Sequence, residues 1–264
     1  MLLIDIIQRQ GGIPMNRPKV VVFQEASADG RVAFTPDISM FYVFEKWRGM
    51  MKDSQLYPDL MEWIKSTHHP QVFLEGSGTF VRKDQKPGDL PSFHGDIKQL
   101  YTDFLPDSVL KDPALHGWGA VVDSKGLCRN LLSWVDEGIH GLIVAANQTP
   151  PEYLADLQRK NYPYLVAGEE RVNLPLALEK LGNQLGATCI CSAGGGKING
   201  ALLRAGLVDE INILVCPVAI GGMETPALFD SPDLKPDDWP TELKLISFQG
   251  FEEGHVWLRY EVIH

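Results

Sequence analysis

The sequence is poor in positive charge: 24 Lys and Arg stand against 34 Asp and Glu, a formal charge of −10. A nucleic-acid binder needs a basic face to displace counterions, so that class is excluded. An anionic small ligand is not, because a few backbone N–H groups can hold a phosphate without net positive charge. Cysteine is scarce. Cys128, Cys189, Cys191 and Cys216 show no paired C-x-x-C spacing and no histidine at zinc distance. Reduced thiols in a cytoplasmic protein are expected, not a disulfide framework or a metal site. No run approaches the roughly 18 apolar residues of a membrane span. The opening MLLIDIIQRQGG carries Asp5 inside its short apolar run and no basic residue before it, which makes a poor signal peptide. Residues 1–17 read as an N-terminal arm, with Met15 a second plausible start. His68 and His69 adjoin without a third spaced ligand and are expected at the surface.

What is present suits one large α/β domain. Apolar residues make up 44% of 264, enough for a full core. KVVVFQEAS (19–27), PQVFLEG (70–76), GWGAVVDS (117–124), HGLIVAAN (140–147), YPYLVAGE (162–169), ATCICSAGGG and EINILVCPVAIGG read as strands. Helical spacing is predicted over 38–53, 56–66 and 150–161, and again in INGALLRAGL. A further helix over 173–186 has Asn173 as its cap and Gly186 as its stop. Residues 82–116 read as a long surface insertion with one short helix near DIKQLYTDFL, and 233–238 as a solvated loop. Cys189 and Cys191 alternate onto one strand face as packing, and Trp118, Trp134, Trp239 and Trp257 are expected as core or interface anchors. Alternating strands and helices predict a three-layer, mostly parallel sheet with helices on both faces. ELKLISFQGFEEGHVWLRYEVI adds a terminal antiparallel hairpin, so the sheet is mixed.

The chemistry-bearing stretch is CSAGGGKINGALLRAGLVDE, 191–210: a strand, three glycines, then a helix. Free amides at a helix start and the helix dipole favour an anion there. Close packing of helix on strand is the other use of such glycines. A phosphate P-loop fails twice: Cys191 stands where its first glycine belongs and Ile198 where its Mg²⁺-binding hydroxyl belongs. Gly194, Gly196 and Gly200 nearly match a Rossmann fingerprint, with one residue too many before the last glycine.

GGGKINGALLRAGLVDEINILVCPVAIGG resembles the C-terminal reductase domain of bifunctional riboflavin-biosynthesis deaminase-reductases, of dihydrofolate-reductase-like fold. EASADGR (25–31), EGSGTFVRKD (75–84) and GAVVDSKG (119–126) agree in order, so the resemblance covers about 19–262 and implies one reductase domain over 18–264. It implies NADPH along the C-terminal edge of the sheet and hydride transfer to a small pyrimidine or pterin-like substrate. The riboflavin-pathway ribosylaminopyrimidine phosphate is one such substrate. It also implies a homodimer. Gly194, Gly195, Gly196, Lys197, Ile198 and Asn199 would hold the cofactor diphosphate, with Gly76, Ser77, Thr79 and Ser124 contacting the nucleotide. Asp29 would face substrate or nicotinamide as the catalytic group, with Ser27 beside it; the alternative for Asp29 is an Asx turn before Gly30. For Thr79 the alternative is a plain turn hydroxyl, and for Lys197 a solvated lysine.

The substrate half departs from the family pattern. Ala193 stands where a Glu usually precedes the glycine turn, and Phe23 where the first strand usually has Lys. Asp-Asp-Pro becomes Lys83-Asp84-Gln85, and the Thr after the glycines becomes Lys197. A nucleotide-binding relative without turnover is the other reading these departures motivate.

Overall fold

A computed structural model describes residues 17–39, 42–50, 55–81, 86–129 and 138–264. The expected arm, Met15, Lys83-Asp84-Gln85 and Trp134 lie outside these residues. The first strand, β1 (Lys19–Ser27), buries Val20, Val21, Val22 and Phe23 completely, so apolar side chains on both faces meet covering layers. β2 (Val72–Gly76), β3 (Gly117–Val122), β4 (Ile139–Ala145), β5 (Tyr164–Val166), β6 (Cys189–Ser192) and β7 (Glu210–Cys216) join it. The hairpin β8 (Leu243–Gly250) and β9 (Val256–Val262) closes the sheet. The nine strands run in the order β5-β4-β3-β2-β6-β1-β7-β9-β8. β9 is antiparallel to both β7 and β8, and the pairs from β5 through β7 are parallel.

The helices are α1 (Phe44–Met50), α2 (Leu56–His68), α3 (Asp107–Leu110), α4 (Pro151–Arg159), α5 (Leu174–Leu185) and α6 (Gly195–Arg204). Buried residues of α5 and α6 pack with Val20, Val22 and Leu74 on one sheet face. Those of α1 and α2 pack with Val21, Phe23 and Cys191 on the other, and α4 covers Val121 and Ile143 on that same side. Asn173 accepts from the Leu176 amide, and Gly186, at φ 68°, ends α5. Among the described residues no helix is long and apolar enough to cross a membrane.

Several expectations need correction. The helix expected from residue 38 begins only at Phe44. Residues 86–116 are not a mere surface excursion. Leu100 and Val109 are buried, Phe104 bridges Tyr164, and Asp103 accepts from the Val166 amide. This segment seals the open edge that β5 would otherwise present. His68 is not at the surface: its side chain is 7% exposed and its Nε2 lies 3.3 Å from Glu210 Oε1. Trp118 and Trp257 are buried, but Trp239 is 88% exposed and anchors no core.

Candidate active site

β6 lies between β2 and β1, so the chain leaves β1 toward β2 across one face and leaves β6 toward β7 across the other. Crevices form outside the carboxyl ends of strands at such a change of direction. A cavity of about 340 Å³ lies there. Its walls are the glycine turn at 193–198, the turn at 76–79, and residues 35–39 after β1. Val32, Val81 and Val122 supply apolar lining, and Gln24, Pro226 and Asp230 complete it.

The glycine turn is shaped for an anion. Gly194 is near-helical (φ −72°, ψ 11°) and Gly195 follows at φ 69°. The Gly195 amide donates to the Ala193 carbonyl at 2.9 Å, and the amides that follow it at the start of α6 have no intrahelical partner. Nothing lies within 4 Å of where a side chain on Gly195 would sit, so a ligand can reach bare backbone. Gly196 is confined instead: a Cβ there would collide with the Ala227 carbonyl and lie 2.6 Å from Asp230 Oδ2. Asp230 thus covers one flank of the helix mouth and leaves the cavity flank open. Lys197 is exposed at that mouth. Gly76 packs on Ile198, whose Cγ1 would lie 2.8 Å from an added Cβ. These residues fit the diphosphate of a dinucleotide cofactor: bare backbone, a helix dipole, and one cation at the rim.

The structure therefore brings Gly76, Ser77, Thr79, Gly194, Gly195, Gly196, Lys197 and Ile198 to one cavity. It does not bring the other four candidates. Asn199 is fully buried behind the turn, accepting from Ser192 Oγ at 2.8 Å and donating to Gln24 Oε1 at 3.5 Å. Ser124 Oγ accepts from the Val172 amide at 2.9 Å and ties its turn to the loop before α5. Ser27 and Asp29 stand off the cavity lining. Asp29 accepts from Ser27 Oγ (2.6 Å), Ile220 N (2.9 Å) and Gly221 N (2.6 Å). The Ser27 bond first, then those two amides, hold its pKa at about 2. Asp29 thus clasps its own turn to the backbone at Ile220 and Gly221.

Two carboxyls not singled out from the sequence lie on the face covered by α1 and α2. Glu25 Oε2 accepts from Trp47 Nε1 at 2.7 Å, and burial raises its pKa against that bond. Glu75 Oε2 accepts from Thr79 Oγ1 at 3.0 Å. Burial raises Glu75 to about 8, the Thr79 bond opposing. Phe23 on that face is fully buried, stacks on Tyr57 at 5.3 Å and does not line the cavity. A carboxylate ending an otherwise apolar strand at VFLEG was the available signal for Glu75. Residues 35–39 gave none, having neither period.

The chain matches the RibD C-terminal domain over residues 18–257. It is 37% identical over 89 residues to a protein of Methanothermobacter thermautotrophicus named 2,5-diamino-6-ribosylamino-4(3H)-pyrimidinone 5′-phosphate reductase, covering 34% of this chain and 40% of that one. A protein of the same name from Archaeoglobus fulgidus is 36% identical over 88 residues, covering 33% and 40%. The matched stretch is thus less than half the length of either relative. Among solved structures, a pyrimidine reductase-like protein of Corynebacterium diphtheriae superposes with TM-score 0.62 at 18% identity, covering 98% of both chains. A riboflavin biosynthesis reductase of Saccharomyces cerevisiae gives 0.54 at 15%, covering 98% of this chain and 95% of that one. These two share the fold. Since the matched domain runs from β1 through β8 into β9 and takes in every wall of the cavity, the chain belongs to the RibD C-terminal domain family.

Proposed function

We propose that residues 18–264 form one reductase domain that binds NADPH and reduces a ribosylaminopyrimidine 5′-phosphate, as in riboflavin biosynthesis. The carrying observation is the glycine turn that leaves bare backbone at the mouth of α6, facing the cavity. The name shared by the two archaeal relatives supplies the substrate class. When bound, the dihydronicotinamide supplies hydride.

The chain's own residues bind and orient. Amides of Gly194, Gly196 and Lys197 hold the diphosphate, and Lys197 favours the additional 2′-phosphate that separates NADPH from NADH. Ser77 and Gly78 border the nucleotide from the second turn. Val32, Ile38 and Val122 keep water from the reacting carbon. Alignment of donor and acceptor is the main catalytic contribution, since holding two reactants in geometry removes most of the entropic barrier.

Four buried, free cysteines support a reducing, cytoplasmic setting. The edge strand β8 leaves Leu245, Ile246 and Phe248 45–71% exposed, which supports a homodimer joined there. The test of the reading is direct: NADPH fluorescence should rise on mixing with the protein. The pyrimidinone 5′-phosphate should then oxidise the bound cofactor. Binding without oxidation would favour the non-turnover reading, which the burial of Phe23 motivates.

A further inference from the structure

Gly196 and Gly200 of α6 both make room for one neighbour, Asp230. A Cβ on Gly200 would collide with the Asp230 carbonyl, and one on Gly196 would lie 2.6 Å from Asp230 Oδ2. The Asp230 amide donates to the Gly196 carbonyl at 2.8 Å. Two bare positions on the helix thus let the loop at 225–230 lie against its first turn and bring a carboxyl to its mouth.

Asp230 lines the cavity and is half-buried. Its Oδ1 accepts from the Ala227 amide at 3.2 Å, and among the described residues no hydrogen bond engages Oδ2. A carboxylate beside the amides that would grip a diphosphate repels that diphosphate. It suits the site only if the ligand also offers it O–H donors, which bond strongly to a charged oxygen. In a dinucleotide those donors are the ribose hydroxyls, each ribose being joined to the diphosphate through a single methylene. Two considerations separate the riboses. The Val32 amide donates to the Pro226 carbonyl at 2.9 Å, so the loop carrying Asp230 is tied to the apolar wall around the reacting carbon. The adenosine ribose of NADPH bears the 2′-phosphate, which Asp230 would repel.

We propose that Asp230 orients the nicotinamide end of the cofactor by accepting from the 2′- and 3′-hydroxyls of its ribose, an inference that rests on the cofactor reading above. Oδ2 takes one hydroxyl, and the lone pair of Oδ1 not used by Ala227 takes the other. A ribose held at both its phosphate and its hydroxyls leaves the ring only rotation about one bond, so Asp230 contributes to the alignment of hydride donor and acceptor. The same negative charge turns the phosphorylated ribose away from this end of the cavity, which sets the direction in which NADPH lies.

The test measures binding of NADPH, NADH, reduced nicotinamide mononucleotide and inorganic pyrophosphate to wild type and D230N. Asparagine keeps Oδ1 for the Ala227 amide, so the melting temperature should stay that of wild type. NADPH and the reduced mononucleotide should each bind D230N about 10–100-fold more weakly, as hydrogen bonds to a charged group are lost. Pyrophosphate has no sugar hydroxyl and should bind D230N as tightly as wild type or more tightly, because a neighbouring negative charge is gone. Equal losses for pyrophosphate and NADPH would show mere support of the glycine turn and overturn the proposal. D230N that binds NADPH as wild type does overturns it as well. So does a loss greater for NADH than for NADPH with the mononucleotide unaffected, which would move Asp230 to the adenosine ribose. On wild type alone, the 2′,3′-dideoxyribose analogue of the reduced mononucleotide should bind about 10–100-fold more weakly than its parent. Equal binding of the two overturns the proposal whether or not D230N folds. Wild type that binds neither NADPH nor NADH overturns the cofactor reading together with it. The expected binding pattern without oxidation by the pyrimidinone 5′-phosphate supports Asp230 and overturns only the reductase reading.

Discussion

Glu75 makes the fold pH-sensitive in a calculable way. Its carboxyl moves from an ordinary 4.5 to about 8 on folding because burial penalises the charged form. Below pH 4.5 the folded and unfolded chains are both protonated and the group has no effect. Between 4.5 and 8 the unfolded chain ionises first, so stability falls as pH rises. Above 8 the folded protein holds a half-buried carboxylate and bears the whole cost. At about 1.4 kcal/mol per unit, the limit is about 5 kcal/mol. Water reaching the side chain and the Thr79 bond soften this, to on the order of 2–4 kcal/mol. Glutamine has the same shape without the charge. Urea unfolding at pH 5 and pH 9 should find E75Q close to wild type at the lower pH and more stable by about 2–4 kcal/mol at the higher. Glu25 and the other carboxyls titrate in both proteins and cancel in the comparison. Parallel stability curves for the two proteins across this range would refute the burial argument.

Gly196→Ala should weaken NADPH binding at least about tenfold, read by cofactor fluorescence, because its Cβ must push the Ala227 carbonyl and the Asp230 carboxylate across the helix mouth. Glu210→Gln should destabilise the protein by about 3 kcal/mol in urea, leaving Arg259, Lys19 and His68 without their shared anion. Burial works to raise Glu210, but bonds from Arg259 and Lys19 outweigh it and hold its pKa at about 2. The wild-type advantage should therefore persist above pH 4.5 and vanish as pH falls toward 2. Asp29→Asn should lower the melting temperature by loosening the turn at Ile220 and Gly221, with kcat reduced less than tenfold; a loss of about a hundredfold or more would return Asp29 to the chemistry. Phe248→Asp on the exposed edge strand should leave a monomer by light scattering, and a wild type already monomeric at micromolar concentration would remove the dimer.

The sheet and its helices were legible because their signals are local. β1 announces itself by four consecutive apolar residues, and α5 by a cap and a glycine stop at its own ends. The anion turn was legible for the same reason, since strand, glycines and helix are contiguous in the chain. The departures come where a residue's role is set by distant segments. Asp29 reads equally well as a ligand group or a turn until the amides of Ile220 and Gly221, 191 and 192 positions away, take up its oxygens. Leu100 and Val109 sit in a polar stretch without periodicity, so nothing local marks them as buried against β5 and α5.

Glu75 is the sharpest case. A glutamate before a glycine turn reads as the polar end of a strand. Its environment is created when β6 inserts between β2 and β1, placing Ala193 and Cys191 next to it, and when α2 brings Tyr57 over the same face. α2, just before β2, and β6, more than 100 residues after it, together raise that one carboxyl's pKa. A motif can report that a phosphate-binding turn exists, because the turn carries its own amides. The protonation state of a nearby group follows from which strands become neighbours, and here that neighbourhood raises an ordinary acid's pKa to about 8.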